Sequence, residues 1–160
     1  MTTPTILPTG YAGDATDYLK TKVDRDGCIR EQYSTVTIPA TTVTTTVIGL
    51  VPFNKGFRLS SGATRLAVGD LDTSTNVTID VGYVYKTGSA ETDDQNAFAS
   101  ALTIAQTGGY IVFDEPTTDL PFVAADDGWI ALTIGGGNTT TAGAFYGQIS
   151  GCYDGLNAVN

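Results

Sequence analysis

The sequence predicts an all-β fold: a β-sandwich or jelly roll with one short inserted helix and an extended N-terminal arm. Three observations carry this. The stretch Val77-Thr78-Ile79-Asp80-Val81-Gly82-Tyr83-Val84-Tyr85-Lys86 alternates. Val77, Ile79, Val81, Tyr83 and Tyr85 fall on one face of a strand, and Thr78, Asp80, Gly82 and Lys86 on the other, with Val84 as the exception. Charged residues make up only 16% of 160 residues, threonine is abundant, and there are 19 glycines. Threonine suits strands, and glycine suits the turns between them. About eight strand-like runs follow one another with no β-α-β alternation, which favours a sandwich and leaves an open barrel as the alternative.

The chain length fits one domain, able to bury a sizeable core without metal or disulfide staples. Residues 1–34 differ from the rest. They carry Pro4 and Pro8, scattered apolar residues (Ile6, Leu7, Tyr11, Tyr18, Leu19, Val23, Ile29) and no clean period. Lys20, Lys22, Arg25 and Arg30 place half of the eight basic residues here. The segment reads as an arm with a short helical or strand piece near Tyr18 to Val23; packing on its own domain is the other reading. Residues 35–160 form the sandwich.

The elements follow in order. Residues 35–38 make a short strand ended by Pro39. Residues 42–53 are long and β-branched, with Val43, Val47, Val51 and Phe53 on one face and Ile48 and Leu50 on the other, so the run is partly covered on both sides. Pro52 belongs near a strand end or sheet edge, because proline cannot donate to a ladder. Asn54-Lys55-Gly56 is a turn. Strands at 56–60 and 64–69 follow, the second with Leu66 and Val68 alternating against Arg65 and Ala67. After strand 77–86 comes the helix signal at 92–106. Thr92-Asp93-Asp94-Gln95 has the form of a capping box, with its two aspartates at the positive end of the dipole. Phe98, Ala101, Leu102 and Ala105 form an i, i+3, i+4, i+7 stripe, and Gly108-Gly109 stops it. Strands resume at 110–114, 122–124, 129–134 and 142–153. No fixed-period repeat is present, which argues against a solenoid or propeller.

The net charge of −9 is unevenly placed. Residues 1–86 hold all eight basic residues and eight acids, and so are neutral. Residues 87–160 hold nine acids and no Lys or Arg. Such a surface repels phosphate backbones and anionic bilayers, so neither nucleic acid nor membrane is an expected partner. Solubility is the simple reading; an outward face on a nucleic-acid-filled particle fits equally well. The first ten residues show neither a basic nor an apolar signal region, so synthesis in a cytosol is expected. Cys28 and Cys152 lack metal or redox spacing and are expected as free thiols in a reducing compartment.

The inventory for catalysis is thin. No histidine is present. That removes the commonest general base and metal ligand and the Ser-His and Cys-His pairs. No phosphate-cradling GxxxxGK[ST] loop occurs. The carboxylate pairs Asp93-Asp94, Asp126-Asp127 and Asp114-Glu115 each have a structural explanation in a cap, a turn and a strand end. No catalytic residue, cofactor or enzyme activity is expected. Asp70, Asp72, Ser74 and Asn76 place oxygen side chains at alternate positions, as a calcium loop does. However, Thr75 stands where an EF-hand has glycine and Val81 where it has glutamate, and a hairpin turn demands the same residue types. Trp129 with Tyr110, Tyr146 and Tyr153 would suit a sugar platform, against the commoner reading as core.

The order of elements carries a resemblance. A threonine-rich strand leads to Ile48-Gly49-Leu50-Val51-Pro52-Phe53-Asn54-Lys55-Gly56-Phe57-Arg58-Leu59. Gly69-Asp70-Leu71-Asp72-Thr73, the strand Val77 to Tyr83 and an aspartate-rich start to Phe98–Ala105 follow. This resembles the small virion structural proteins of tailed bacteriophages, particularly capsid decoration (cement) proteins with a jelly-roll-like domain. It covers roughly residues 40–110, with a weaker echo at 129–134 and 145–153, and no catalytic motif anchors it. The resemblance implies a homotrimer on the capsid surface that binds the major capsid protein and staples its subunits. It also implies an N-terminal arm, with Lys20, Lys22, Arg25 and Arg30, reaching onto the shell. A tail, fibre or connector protein, or a calcium-dependent carbohydrate-binding module, are the competing functions.

Overall fold

The structure, a computed structural model, describes residues 5–6, 30–60, 64–111, 113 and 122–153, without the side chains of Arg30, Glu31 and Tyr153. The described residues form nine strands: β1 Arg30–Ile38, β2 Val47–Phe53, β3 Phe57–Leu59, β4 Arg65–Val68, β5 Thr78–Tyr85, β6 Asp94–Leu102, β7 Gly109–Ile111, β8 Gly128–Gly135 and β9 Gly143–Tyr153. One sheet runs β1-β9-β4-β7, with β3 on the far end of β9; the other runs β2-β8-β5-β6. Every named pairing is antiparallel. The chain crosses between sheets at β1–β2, β2–β3, β4–β5, β6–β7, β7–β8 and β8–β9, the interleaving of a jelly roll. The all-β sandwich expected from the sequence is present.

Alternation explains the core. Ile79, Val81 and Tyr85 of β5, Leu66 and Val68 of β4, and Phe145 and Ile149 of β9 point between the sheets and are buried. Fully burying such a side chain contributes about 1.5–3 kcal/mol. One end of the sandwich is aromatic: Phe122 packs on Tyr83 at 4.6 Å, Phe98 at 5.4 Å and Phe53 at 5.6 Å between ring centroids. Val84, the residue that broke the alternation, lies on the outer face of its sheet. There it pairs across to Trp129 and joins a second buried cluster with Val47 and Ala131.

The structure corrects three expectations. The helix at 92–106 is absent. Asp94–Leu102 is strand β6 on the edge of β5, and only Thr103–Gln106 forms a 3₁₀ turn. A helix this short is marginal on its own, whereas β5 presents an open edge with Val81 opposite Ala99 and Ile79 opposite Leu102. The capping residues serve the sheet instead. The Tyr85 amide donates to Asp93 Oδ1 at 2.8 Å, and the Thr133 hydroxyl donates to Gln95 Oε1 at 3.1 Å. Secondly, the long strand at 42–53 begins only at Val47, with Val43 exposed in the preceding turn. A bulge between Gly49 and Val51 changes which residues share a face. Ile48, Leu50, Val51 and Phe53 all enter the main core, and Val47 turns outward. Pro52 lies near the end of this edge strand, as expected. Thirdly, residues 122–124 form no full strand but a bridge from Val123 to Arg58.

The first strand begins at Arg30, so residues 30–34 pair with β9. Most of the expected arm, including the piece near Tyr18 to Val23, lies outside the described residues. Thr5 and Ile6 are described: they run parallel to β2 along its outer edge. Thr5 donates to the Val47 carbonyl and Gly49 donates to the Ile6 carbonyl, both at 2.8 Å. Two outward backbone groups of this edge strand are thereby paired. Among the described residues no helix is long and apolar enough to cross a membrane.

Candidate functional site

The loop from Asp70 to Val77 joins β4 to β5 across the end of the sandwich. Asp72 is buried at its centre, 1% exposed. Its Oδ1 accepts the Ser74 amide at 2.8 Å, the Ser74 hydroxyl at 2.6 Å and the Thr140 hydroxyl at 3.0 Å. Its Oδ2 accepts the amides of Asn76 at 2.5 Å and Val77 at 2.8 Å. The Ser74 hydroxyl leads the interactions that hold this carboxyl far below the usual carboxylate range, over the opposing effect of burial. Asp70 accepts the Asp72 amide at 3.0 Å. Thr75 takes the left-handed conformation, φ 63°, at the position where a calcium loop would place glycine. Of the four oxygen-bearing residues singled out in the sequence, Asp72 is thus engaged by the loop's own donors and by Thr140. Asp70 is exposed, and Ser74 and Asn76 meet at 3.4 Å. Among the described residues no three His, Cys, Asp or Glu side chains converge as a metal-holding group.

At the other end, Lys86 Nζ lies 3.2 Å from Asp126 Oδ1 and 3.0 Å from Asp127 Oδ2. Asp127 Oδ1 also accepts the Lys55 amide at 3.0 Å. Hydrogen bonds to Asp127 and Asp126 raise the lysine's pKa. Burial pushes Asp126 upward, but the Asp127 amide, Ser89 and Lys86 outweigh it and leave the carboxyl lowered. Asp126-Asp127-Gly128 is the turn into β8 that the sequence indicated, tied to the turn after β5.

The aromatic platform does not assemble. Trp129 is 4% exposed in the outer cluster of the β2-β8-β5-β6 sheet, while Tyr110 and Tyr146 stand on the other sheet. Tyr153 ends β9, its side chain outside the described residues. Cys152 is a half-buried free thiol. Cys28, Lys20, Lys22 and Arg25 lie outside the described residues, and Arg30 enters only as the first backbone position of β1.

A surface that sequence reasoning missed lies on the outer face of the β1-β9-β4-β7 sheet. Thr35, Tyr146, Ala67 and Tyr110 occupy one cross-strand row, and Tyr33, Gln148 and Arg65 the next. Tyr110 is 80% exposed, Tyr33 69% and Tyr146 57%. Adjacent strands stand about 4.8 Å apart, so the tyrosines span roughly 15 Å of sheet. The available signal was tyrosine at the polar positions of alternating strands, as in Phe145-Tyr146-Gly147-Gln148-Ile149. Only the strand order shows that these positions are neighbours.

No family model and no curated protein matches the chain. Solved structures do. A chain in the capsid of Ralstonia phage GP4 is similar with a TM-score of 0.64 and 21% identity, over 87% of this chain and 93% of that one. A chain in the capsid asymmetric unit of cyanophage Pam1 is similar with a TM-score of 0.57 and 18% identity, over 84% and 95%. At these identities the likeness is one of fold, and it spans nearly the whole of each chain.

Proposed function

We propose that this chain is a capsid decoration (cement) protein. It binds the outside of a phage head, contacts the major capsid protein and stabilises the junctions between its subunits. The observation that carries this reading is the jelly roll shared almost end to end with chains found in two phage capsids. The resemblance seen in the sequence points the same way. The role is non-enzymatic, in keeping with a histidine-free chain in which Asp72, Asp126 and Asp127 are engaged in turns. In this reading the chain is a virion component made in the host cytoplasm. It associates as a homotrimer, and its acidic residues beyond position 86 face solvent, away from the shell.

The arm belongs to the proposal. Lys20, Lys22, Arg25 and Arg30 would lie along an acidic groove of the shell, and several arms per assembly would turn weak contacts into firm attachment. Removal of residues 1–29 leaves β1 whole and should reduce the occupancy of shells severalfold. Undiminished saturation would sink the arm's role. Copy number separates the head from the tail: quantitative mass spectrometry of virions should find this chain in numbers comparable with the major capsid protein. A handful of copies per particle would place it in the tail, fibre or connector instead.

A further inference from the structure

We propose that the outer face of the β1-β9-β4-β7 sheet is the body's docking surface, and that it seats on a carboxylate-bearing protein surface of the capsid shell. The inference rests on the decoration reading and assigns its contact face.

Tyrosine and arginine are the residues that interfaces concentrate, because they offer large area and directed hydrogen bonds at low entropic cost. Here Tyr33, Tyr110 and Tyr146 stand out of one sheet, and Arg65 is exposed beside Gln148 in the row next to Tyr146. Arg58, also exposed, continues the face on β3, opposite Cys152. These two arginines are the charged groups among the described side chains of this face; Glu31, opposite Ser150, holds a register position on the same face, and Arg58 is already engaged by another group of the chain, so Arg65 is the arginine on which the contact rests. The protein as a whole carries −9, with no basic residue after position 86. An acidic partner is repelled by most of this molecule and attracted at this face. A guanidinium fork also pairs with a carboxylate in a directed, two-point fashion. The exposed tyrosines pick out the face, and Arg65 among them gives a carboxylate of the partner its counter-charge. Among the described residues the opposite sheet offers nothing equivalent: its outer cluster of Val47, Val84, Trp129 and Ala131 is already buried.

The test uses the purified full chain and phage shells that lack it, with affinity read by co-sedimentation. Tyr110→Ser combined with Tyr146→Ser, and separately Arg65→Glu, should each weaken binding about tenfold or more. All these side chains point to solvent, so thermal melts of the variants should match the parent. Val43→Ser removes an exposed apolar residue outside these strands and should bind as the parent does. If the parent binds and the face variants bind equally well, the face assignment is wrong while the decoration reading stands. A parent that does not bind overturns both. A Val43→Ser variant as weak as the others would reduce the contact to general stickiness and also overturn the assignment. So would face variants that lose self-association by light scattering yet keep shell binding, because the face would then join copies of this chain.

Discussion

Burial alone would push a carboxyl's pKa upward, yet Asp72 is held below its ordinary value by the Ser74 hydroxyl and by the amides of Val77, Ser74 and Asn76. The consequence is a loop organised around one negative charge. Asp72→Ala leaves the amides of Asn76 and Val77 without their acceptor and should lower the melting midpoint by about 5–10 °C. The sign of the pH dependence follows from the lowered value. The carboxylate's contribution is present in full above the unfolded value of about 3.9, and is lost as pH falls from there through the lower folded value. The gap in melting temperature between parent and Asp72→Asn should stay level down to about pH 5 and narrow below pH 4. Lys86 contrasts with this. Its side chain is 40% exposed, so Lys86→Met should cost no more than about 1 kcal/mol, and less in high salt, as urea titrations would show. Gly82 is fixed by backbone, since a Cβ there would run into the Asp94 carbonyl and the Gln95 main chain. Gly82→Ala should cost about 3 kcal/mol in the same assay.

At the scale of elements, β6 is the most instructive. Its stripe at Phe98, Ala101, Leu102 and Ala105 reads as helical, but Phe98 is buried among Tyr83, Phe113 and Phe122 as part of a strand. Phe98→Ala should therefore destabilise by about 3–5 kcal/mol, and far-UV circular dichroism of the parent should lack a helical double minimum. Strands β4, β5, β8 and β9 were legible because a period of two, or an apolar run, survives in them from end to end. β2 was half legible: the bulge at Leu50 shifts the faces, and a bulge leaves no mark on composition. β6 was not legible because its partners on β5 lie beyond the local window, Ala99 facing Val81 and Leu102 facing Ile79, and local propensity cannot see them. The same reasoning applies to the surfaces. The Asp70–Asn76 loop was visible as a run of oxygen side chains, although its acceptors proved to be turned inward at Asp72. The tyrosine face was invisible, because β1, β4, β7 and β9 each contribute one or two of its residues and only the topology joins them.

At the scale of the whole molecule, charge and shape divide the labour. A histidine-free, strongly acidic jelly roll keeps one sheet face lined with exposed tyrosines beside Arg65, and pairs the edge of β2 with residues 5–6. Those features suit a protein that must stay soluble before assembly and then adhere to a large surface in one orientation. The most direct test of that account is the binding isotherm of the purified chain on shells stripped of it. The account predicts saturation at a fixed ratio to the major capsid subunit, with the occupied shells surviving higher temperature than bare ones. Binding that never saturates, or no binding at micromolar concentration, would contradict it.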